Sequence, residues 1–257
     1  MYSKALVFSI ALEGFEQTFG DCIKTQIEYC RRYQYDYVLI KRSPYHLYPD
    51  EAAWMKVPLI RAALAGNYEW VSFLDADCEI RSHTPGFSEH FSALSESKTI
   101  FMAPGFSGRL NSGVIFAKNS PASLSFFDKI LINADLEIPT PEDRAPYENG
   151  HFIYYGKDNP AVYPLEHQLW NNNSRLDDKS YIQHYVRGPM REWYMNNRVL
   201  PKKESLIKKV LIDPFFNNNL NILKNKAQRP VKPMIISESI NKLLPYYMKK
   251  YSVFCNT

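Results

Sequence analysis

Apolar residues fall along this chain in short blocks whose period changes from one block to the next. Lys4 to Ala11 (KALVFSIA) is an apolar run of strand length without polar alternation, which predicts a strand buried on both faces. From Asp21 to Tyr33 the period becomes helical, with Ile23, Ile27 and Cys30 on one stripe. Tyr37 to Ile40 predicts a second strand. Lys56 to Ala65 then reads as a helix, with Pro58 in its first turn, Leu59, Ile60, Ala63 and Leu64 on one face, and Gly66 where a C-terminal cap belongs. Trp70 to Leu74 (WVSFL) predicts a third buried strand. Such strand–helix alternation is the mark of βαβ units and a largely parallel sheet.

The alternation continues through Ile100 to Ala103 and Gly113 to Ala117, followed by a helix that Ser120 and Pro121 open and that runs to about Asn133. From Asp135 to Pro164 the chain turns rich in Pro, Tyr, Asn and Gly, predicting a long loop or a small subdomain over the sheet. Composition adds little to this picture: 257 residues, 45% hydrophobic and 23% charged, describe an ordinary globular protein and exclude disorder and collagen-like classes. Cys22, Cys30, Cys78 and Cys255 show no C-x-x-C pairing. Cys22 and Cys30, on one predicted helix, are separated by about 12 Å of rise, beyond disulfide reach. The opening residues lack a signal-peptide pattern, and no window approaches the ~20 apolar residues of a membrane span. A reduced, cytoplasmic setting is expected, with peripheral attachment to the inner face of a membrane as an option.

Charge does change the picture. The formal net charge is +4, yet residues 201–257 alone carry +8, leaving −4 for the rest. In that tail Leu243, Leu244, Tyr246, Tyr247, Met248, Tyr251 and Phe254 are interleaved with lysines. Such a segment suits an anionic membrane surface or a solvated helix packed on the core, and no nucleic-acid motif accompanies it. The expected organisation is therefore a catalytic domain over residues 1–200 and a basic helical extension over 201–257.

Asp75 and Asp77 form D-A-D directly after the apolar run Val71 to Leu74. In an open α/β sheet the ligand crevice lies outside the carboxyl ends of the strands, which is where this pair falls. In extended chain the two carboxylates point to the same side. Their mutual repulsion favours a neutralising cation, and oxygen ligands suit Mg²⁺ or Mn²⁺. The alternative is a polar turn whose aspartates accept backbone N–H bonds.

The segment WMKVPLIRAALAGNYEWVSFLDADCEI, Trp54 to Ile80, resembles the donor half of GT-A glycosyltransferases, in particular the retaining family of fungal Golgi α-mannosyl- and galactosyltransferases and plant xyloglucan xylosyltransferases. RLNSGVIFAKNS, Arg109 to Ser120, is similar to that family's N-[ST]-G-V strand. HYVRGPMREW, from His184, resembles the H-x-x-G-x-x-K-P-W element of neighbouring families, with one extra residue before Gly188 and with Arg191 and Glu192 in place of Lys-Pro. The resemblance implies a GT-A (Rossmann-like) α/β fold, with a mostly parallel sheet flanked by helices, and a metal-dependent transfer of sugar from a nucleotide diphosphate sugar, UDP-hexose for preference, to a glycan or glycolipid, with retention.

It further implies a site. Asp75, Asp77 and His184 would hold Mn²⁺ or Mg²⁺. Lys56, Asp75, Asn111, Gly188 and Arg191 would meet the donor, with Arg187 as a second clamp on the diphosphate. Ser9 and Ala11, at the end of the first strand, sit where GT-A enzymes hold the nucleoside. Glu166 and Gln168 would stand beside the reacting sugar, with His167 between them. Two rivals remain at this point. A sugar-1-phosphate nucleotidyltransferase should carry a Gly-rich loop after its first strand, where SIALEGFEQTFG offers only Gly14 and Gly20; a non-catalytic binding module would work through the basic tail.

Overall fold

The computed structural model describes residues 4–94, 96–201 and 235–255. These fall into two compact units, residues up to Tyr185 together with those from Ile235 onward, and a second unit that begins at Val186. The sequence places a break near residue 200. The chain instead divides after Tyr185 and rejoins the first unit at its C-terminus.

Six strands build the central sheet: β1 (Ala5–Ile10), β2 (Asp36–Ile40), β3 (Trp70–Leu74), β5 (Ile100–Pro104), β6 (Leu110–Lys118) and β7 (Val162–Pro164), in the order β2-β1-β3-β6-β5-β7. β1 pairs in parallel with β2 and β3, and β5 with β7, while β6 pairs antiparallel with both β3 and β5. The sheet is thus mostly parallel, with β6 the strand that runs against its neighbours. The two others, β4 (Cys78–Ile80) and β8 (Ile182–His184), form a separate antiparallel ribbon.

Helices α1 (Phe15–Thr18), α2 (Gly20–Tyr33), α3 (Pro49–Trp54), α4 (Lys56–Ala65), α5 (Phe87–Ser92), α6 (Pro121–Ile132), α7 (Asn149–Gly156) and α8 (His167–Trp170) complete the first unit with the C-terminal helix; α9 (Pro189–Tyr194) opens the second unit. The bounds of α4 and β3 are those the apolar pattern predicts. Ser120 caps α6 by accepting from the Ser123 N–H, with Pro121 behind it. One side of the core is aromatic: Phe91 stacks on Phe101 with ring centroids 4.5 Å apart, and Trp70, Phe87, Phe116 and Trp170 pack around them. Each such side chain stabilises by roughly 1.5–3 kcal/mol on burial, and together they fix the frame from which the strand ends project.

One expectation is corrected. Ile27 is not on the buried stripe of α2; it is exposed, and the helix buries Cys22, Ile23, Gln26, Tyr29 and Cys30 instead. A polar residue holds the core position because it is fully hydrogen-bonded there, as described below. Of the two alternatives for 135–164, the long loop is the one set aside, since the stretch contains α7 and β7. Phe152 of α7 packs against Phe126 and Phe127 of α6, a hydrophobic contact that organises an otherwise turn-rich segment.

Most of the basic tail, residues 202–234, lies outside the described residues. Its final part is the helix α10 (Ile236–Lys250), whose buried face (Ile236, Ile240, Leu243 and Tyr247) packs on α3 and α4. Phe254 then meets Phe8 of β1 ring to ring at 5.3 Å. Of the apolar residues that suggested a membrane surface, Leu243, Tyr247 and Phe254 are buried in the core and Leu244, Tyr246, Met248 and Tyr251 are half-buried, while Lys242, Lys249 and Lys250 stay outside. No helix among the described residues is long and apolar enough to cross a membrane.

This packing predicts a contrast. Leu243 is fully buried, so Leu243→Ala is expected to cost about 2–5 kcal/mol in urea unfolding, whereas Lys249→Ala, on the exposed face, should stay within about 0.5 kcal/mol.

Candidate active site

The site begins where β3 leaves the sheet. The Asp75 N–H donates to the Gly113 carbonyl at 2.8 Å, and the Cys78 N–H donates back to the Asp75 carbonyl at 3.0 Å, closing a tight turn over Asp75–Cys78. The two aspartates are therefore carried on a turn and not, as the spacing suggests, on extended chain. Gln26 clamps this turn from α2: its amide Nε2 donates to the carbonyls of Asp75 at 3.0 Å and Cys78 at 2.9 Å. Its Oε1 accepts from the Ser9 and Tyr37 hydroxyls at 2.7 and 2.9 Å.

The ribbon of β4 and β8 brings the far end of the unit to the turn. Its register sets Cys78 opposite His184, and the Tyr185 N–H donates to the Asp77 carbonyl at 3.0 Å. His184 Nε2 consequently lies 3.3 Å from Asp77 Oδ1 and 3.7 Å from Asp75 Oδ2. His184 and Asp77 are buried, while 36% of the Asp75 side chain is exposed, so the cluster opens to solvent on the Asp75 side.

A chain of amides orients the imidazole. The Gly113 N–H, which can only donate, points at Asn111 Oδ1 at 3.1 Å. That oxygen also accepts from Asn171 Nδ2 at 2.9 Å, so Asn171 Oδ1 is left to face His184 Nδ1 at 2.8 Å. Nδ1 must then carry a proton, and Nε2 is the nitrogen turned to the carboxylates. Histidines that bind metals characteristically spend the other ring N–H in this way.

Lys56 reaches the same turn from the start of α4. Its Nζ lies 2.8 Å from Glu148 Oε1, 3.4 Å from Asp75 Oδ1 and 3.3 Å from the Ser112 carbonyl, and it is buried. Burial by itself would lower the ammonium's pKa; Asp75 and then Glu148 outweigh it and raise Lys56 above its ordinary value, so it stays charged. Glu148, also buried, accepts from the Ser112 hydroxyl at 2.7 Å through the same Oε1.

Asp75, Asp77, His184, Lys56 and Asn111 are thus brought together. Ser9 is fully buried and serves the clamp on Gln26, and the Ala11 N–H donates to the Ile40 carbonyl at 2.8 Å. Glu166 is exposed at the start of α8. Gln168 is exposed too, and its Oε1 accepts from Arg175 at 3.0 Å, while His167 contacts Asn173. Gly188 and Arg191 belong to the second unit, where Gly188 opens α9 with φ 117°, a conformation suited to glycine. Gln26, Glu148 and Asn171 escaped the sequence reading. Only Gln26 leaves a local trace, a polar residue on the buried stripe of an amphipathic helix.

Two carboxylate oxygens flank one imidazole nitrogen, Asp77 Oδ1 at 3.3 Å and Asp75 Oδ2 at 3.7 Å from His184 Nε2, an arrangement that a proton or cation would neutralise. Asp77, Cys78 and His184 also place an oxygen, a sulfur and a nitrogen within 4.8 Å of one another. Burial, followed by Asp77 and Asp75, pushes the Cys78 thiol well above its ordinary value, and its Sγ faces the Gly113 carbonyl at 3.7 Å. The Sγ thus donates to the backbone, and the oxygen and nitrogen donors of Asp77 and His184 fit Mn²⁺ or Mg²⁺. Gly113 keeps the space open: a Cβ there would stand 2.4 Å from His184 Cε1 and 2.7 Å from Asp75 Oδ2.

Residues 9–91 match the galactosyl transferase GMA12/MNN10 family, a span from β1 into α5 that includes the acidic turn. The structure superposes on a glycosyltransferase involved in glycosylation of the major capsid of PBCV-1, with TM-score 0.59 and 13% identity over 75% of this chain and 98% of that one. This is a GT-A glycosyltransferase fold. GlyE, a glycosyltransferase of Streptococcus pneumoniae TIGR4, shares it at TM-score 0.50 and 16% identity over 76% of this chain and 60% of its own. No curated protein sequence matches significantly. The family match and the GT-A fold together support a transferase enzyme.

The cradle makes Gly113 a sharp test. Gly113→Ala is expected to displace His184 or Asp75 and to weaken Mn²⁺ binding on the order of 10-fold or more, read by calorimetry of the metal with UDP present; unchanged affinity would show that the glycine leaves no needed room.

Proposed function

We propose that this protein is a metal-dependent glycosyltransferase that takes a sugar from a nucleotide diphosphate sugar, a UDP-hexose for preference, and places it on a glycan or glycolipid with retention of configuration. The observation that carries this reading is the approach of Asp77 Oδ1 and Asp75 Oδ2 to His184 Nε2 at the carboxyl end of β3, the position where open α/β sheets bind their ligands. Bound there, Mn²⁺ or Mg²⁺ would supply Lewis-acid stabilisation to the departing diphosphate.

The chain's own residues do the rest. Asp77 and His184 would hold the metal, with Asp75 shared between it and the Lys56 ammonium. Gln26 keeps the turn from opening as charge redistributes, because both of its donor bonds go to backbone carbonyls of that turn. Gly113 allows backbone approach to the donor, and Asn111 orients through Asn171 the imidazole beside it. Glu166 and Gln168, exposed around α8, are the polar groups offered to the reacting sugar.

In a retaining transfer the acceptor oxygen bonds to the anomeric carbon as the bond to the diphosphate oxygen breaks, and that departing oxygen takes the acceptor's proton. No strong protein base is required, in keeping with carboxylates engaged by Lys56 and His184. Peripheral membrane contact would be electrostatic, through the lysines of residues 201–257, of which Lys242, Lys249 and Lys250 are exposed on α10, since that helix buries its apolar face.

Titration calorimetry with UDP-glucose, UDP-galactose and GDP-mannose tests the reading. Binding is expected in the presence of Mn²⁺ and lost with EDTA, and Asp77→Asn should weaken it on the order of 100-fold without a large change in thermal unfolding. Equal affinity for every nucleotide sugar with and without metal would overturn it.

A further inference from the structure

The Lys56–Glu148 pair is buried at both ends, with 5% and 3% of the side chains exposed. Stability does not account for it: a buried ion pair roughly breaks even against well-packed apolar side chains. Here it does worse, because Glu148 Oε2 is buried with no hydrogen-bond partner in the protein, a cost of about 1–3 kcal/mol. The backbone enters the pair under strain as well, Tyr147 sitting at φ 61° immediately before Glu148. Such strain persists where the surroundings over-determine a conformation.

The geometry shows what the arrangement achieves. Lys56 Nζ stands closer to Glu148, at 2.8 Å, than to Asp75, at 3.4 Å. The ammonium is drawn toward Glu148, whose Oε1 is held in place by the Ser112 hydroxyl, and the Ser112 N–H is tied in turn to Asn149 Oδ1 at 2.8 Å. Asp75 therefore meets Lys56 through Oδ1 only loosely and turns Oδ2 to His184. Were Glu148 uncharged, the full positive charge would fall on Asp75, the remaining carboxylate within reach, and compete with any cation at the turn.

We propose that Glu148 is a positioning residue for the metal site: it holds the Lys56 ammonium back from Asp75, so that the Asp75 carboxylate keeps its charge available to the metal although Glu148 touches neither metal nor donor. The inference rests on the metal-dependent reading above and assigns a role to a residue that reading does not use.

The test is Mn²⁺ affinity in the full chain, measured by electron paramagnetic resonance with UDP present, alongside thermal unfolding. Glu148→Gln is expected to weaken Mn²⁺ binding about 10-fold. The double variant Glu148→Gln with Lys56→Met removes the released ammonium and is expected to recover affinity to within about threefold of wild type. A double variant as weak as Glu148→Gln would overturn the proposal, since a merely structural role would not be rescued by removing the lysine. Should Glu148→Gln not fold, Glu148→Asp keeps the charge and withdraws its reach: weaker Mn²⁺ binding supports the proposal and wild-type affinity overturns it. Wild-type protein that binds no Mn²⁺ refutes the metal reading itself, whereas wild-type binding undiminished in Glu148→Gln refutes the positioning role alone.

Discussion

A backbone N–H that can only donate sets the chemistry of this site. Gly113 lies beside the acidic turn, and its N–H settles the amide of Asn111, then that of Asn171, and then which nitrogen of His184 carries a proton. Side-chain amides and imidazoles can each be turned two ways at little cost. An irreversible donor at one end of the chain removes that freedom from all three. The same glycine accepts the Asp75 N–H at its carbonyl and leaves open the space a Cβ would fill. Sheet register, ligand orientation and cavity are thereby joined at one residue of β6, and a change in any of them is felt by the others.

Charge around the turn is managed by the same economy of short, directed contacts. Asp75, Asp77 and Glu148 crowd three carboxylates around one ammonium and one imidazole, in a region where burial raises the cost of every unpaired charge. Neutralisation by packing alone is not available. The clamp by Gln26 supplies no charge and instead saturates the carbonyls of the turn, so the backbone does not compete for whatever the carboxylates bind. Lys56 lies closer to Glu148, at 2.8 Å, than to Asp75, at 3.4 Å. A site held in this way presents acceptor atoms whose positions are set by the protein, which is the condition for electrostatic stabilisation without reorganisation during reaction.

The sequence discloses these parts unevenly, and the reason is distance along the chain. The strand Trp70–Leu74 and the helix Lys56–Ala65 are legible residue for residue because a local apolar period defines them. Asp75 and Asp77 are legible as a pair at a strand end, although the turn that carries them is not, since its geometry depends on Gln26 and Gly113. His184 enters only through resemblance: nothing within its own segment separates it from a core histidine. Asn171 and Glu148 are invisible for the same reason, their meaning lying in partners 60 and 36 positions away in sequence. The error at Ile27 shows how the apolar period misleads, because it credits the stripe to the residue that looks right and passes over Gln26, whose burial is bought by four hydrogen bonds.

The dispersal of these partners has a consequence for how the site comes into being. The turn after β3 carries the two aspartates, β8 carries the imidazole, and α2, β6, α7 and the chain just after α8 supply what holds them. None of these segments contains enough of the site to bind a cation by itself, so the unfolded chain has little affinity to lose. A metal that binds only the assembled unit adds its binding free energy to folding. The return of the chain through α10 onto α3 and α4 closes the same unit. Packing far from the carboxylates thus bears on their geometry through one helix, since α10 packs on the α4 that carries Lys56.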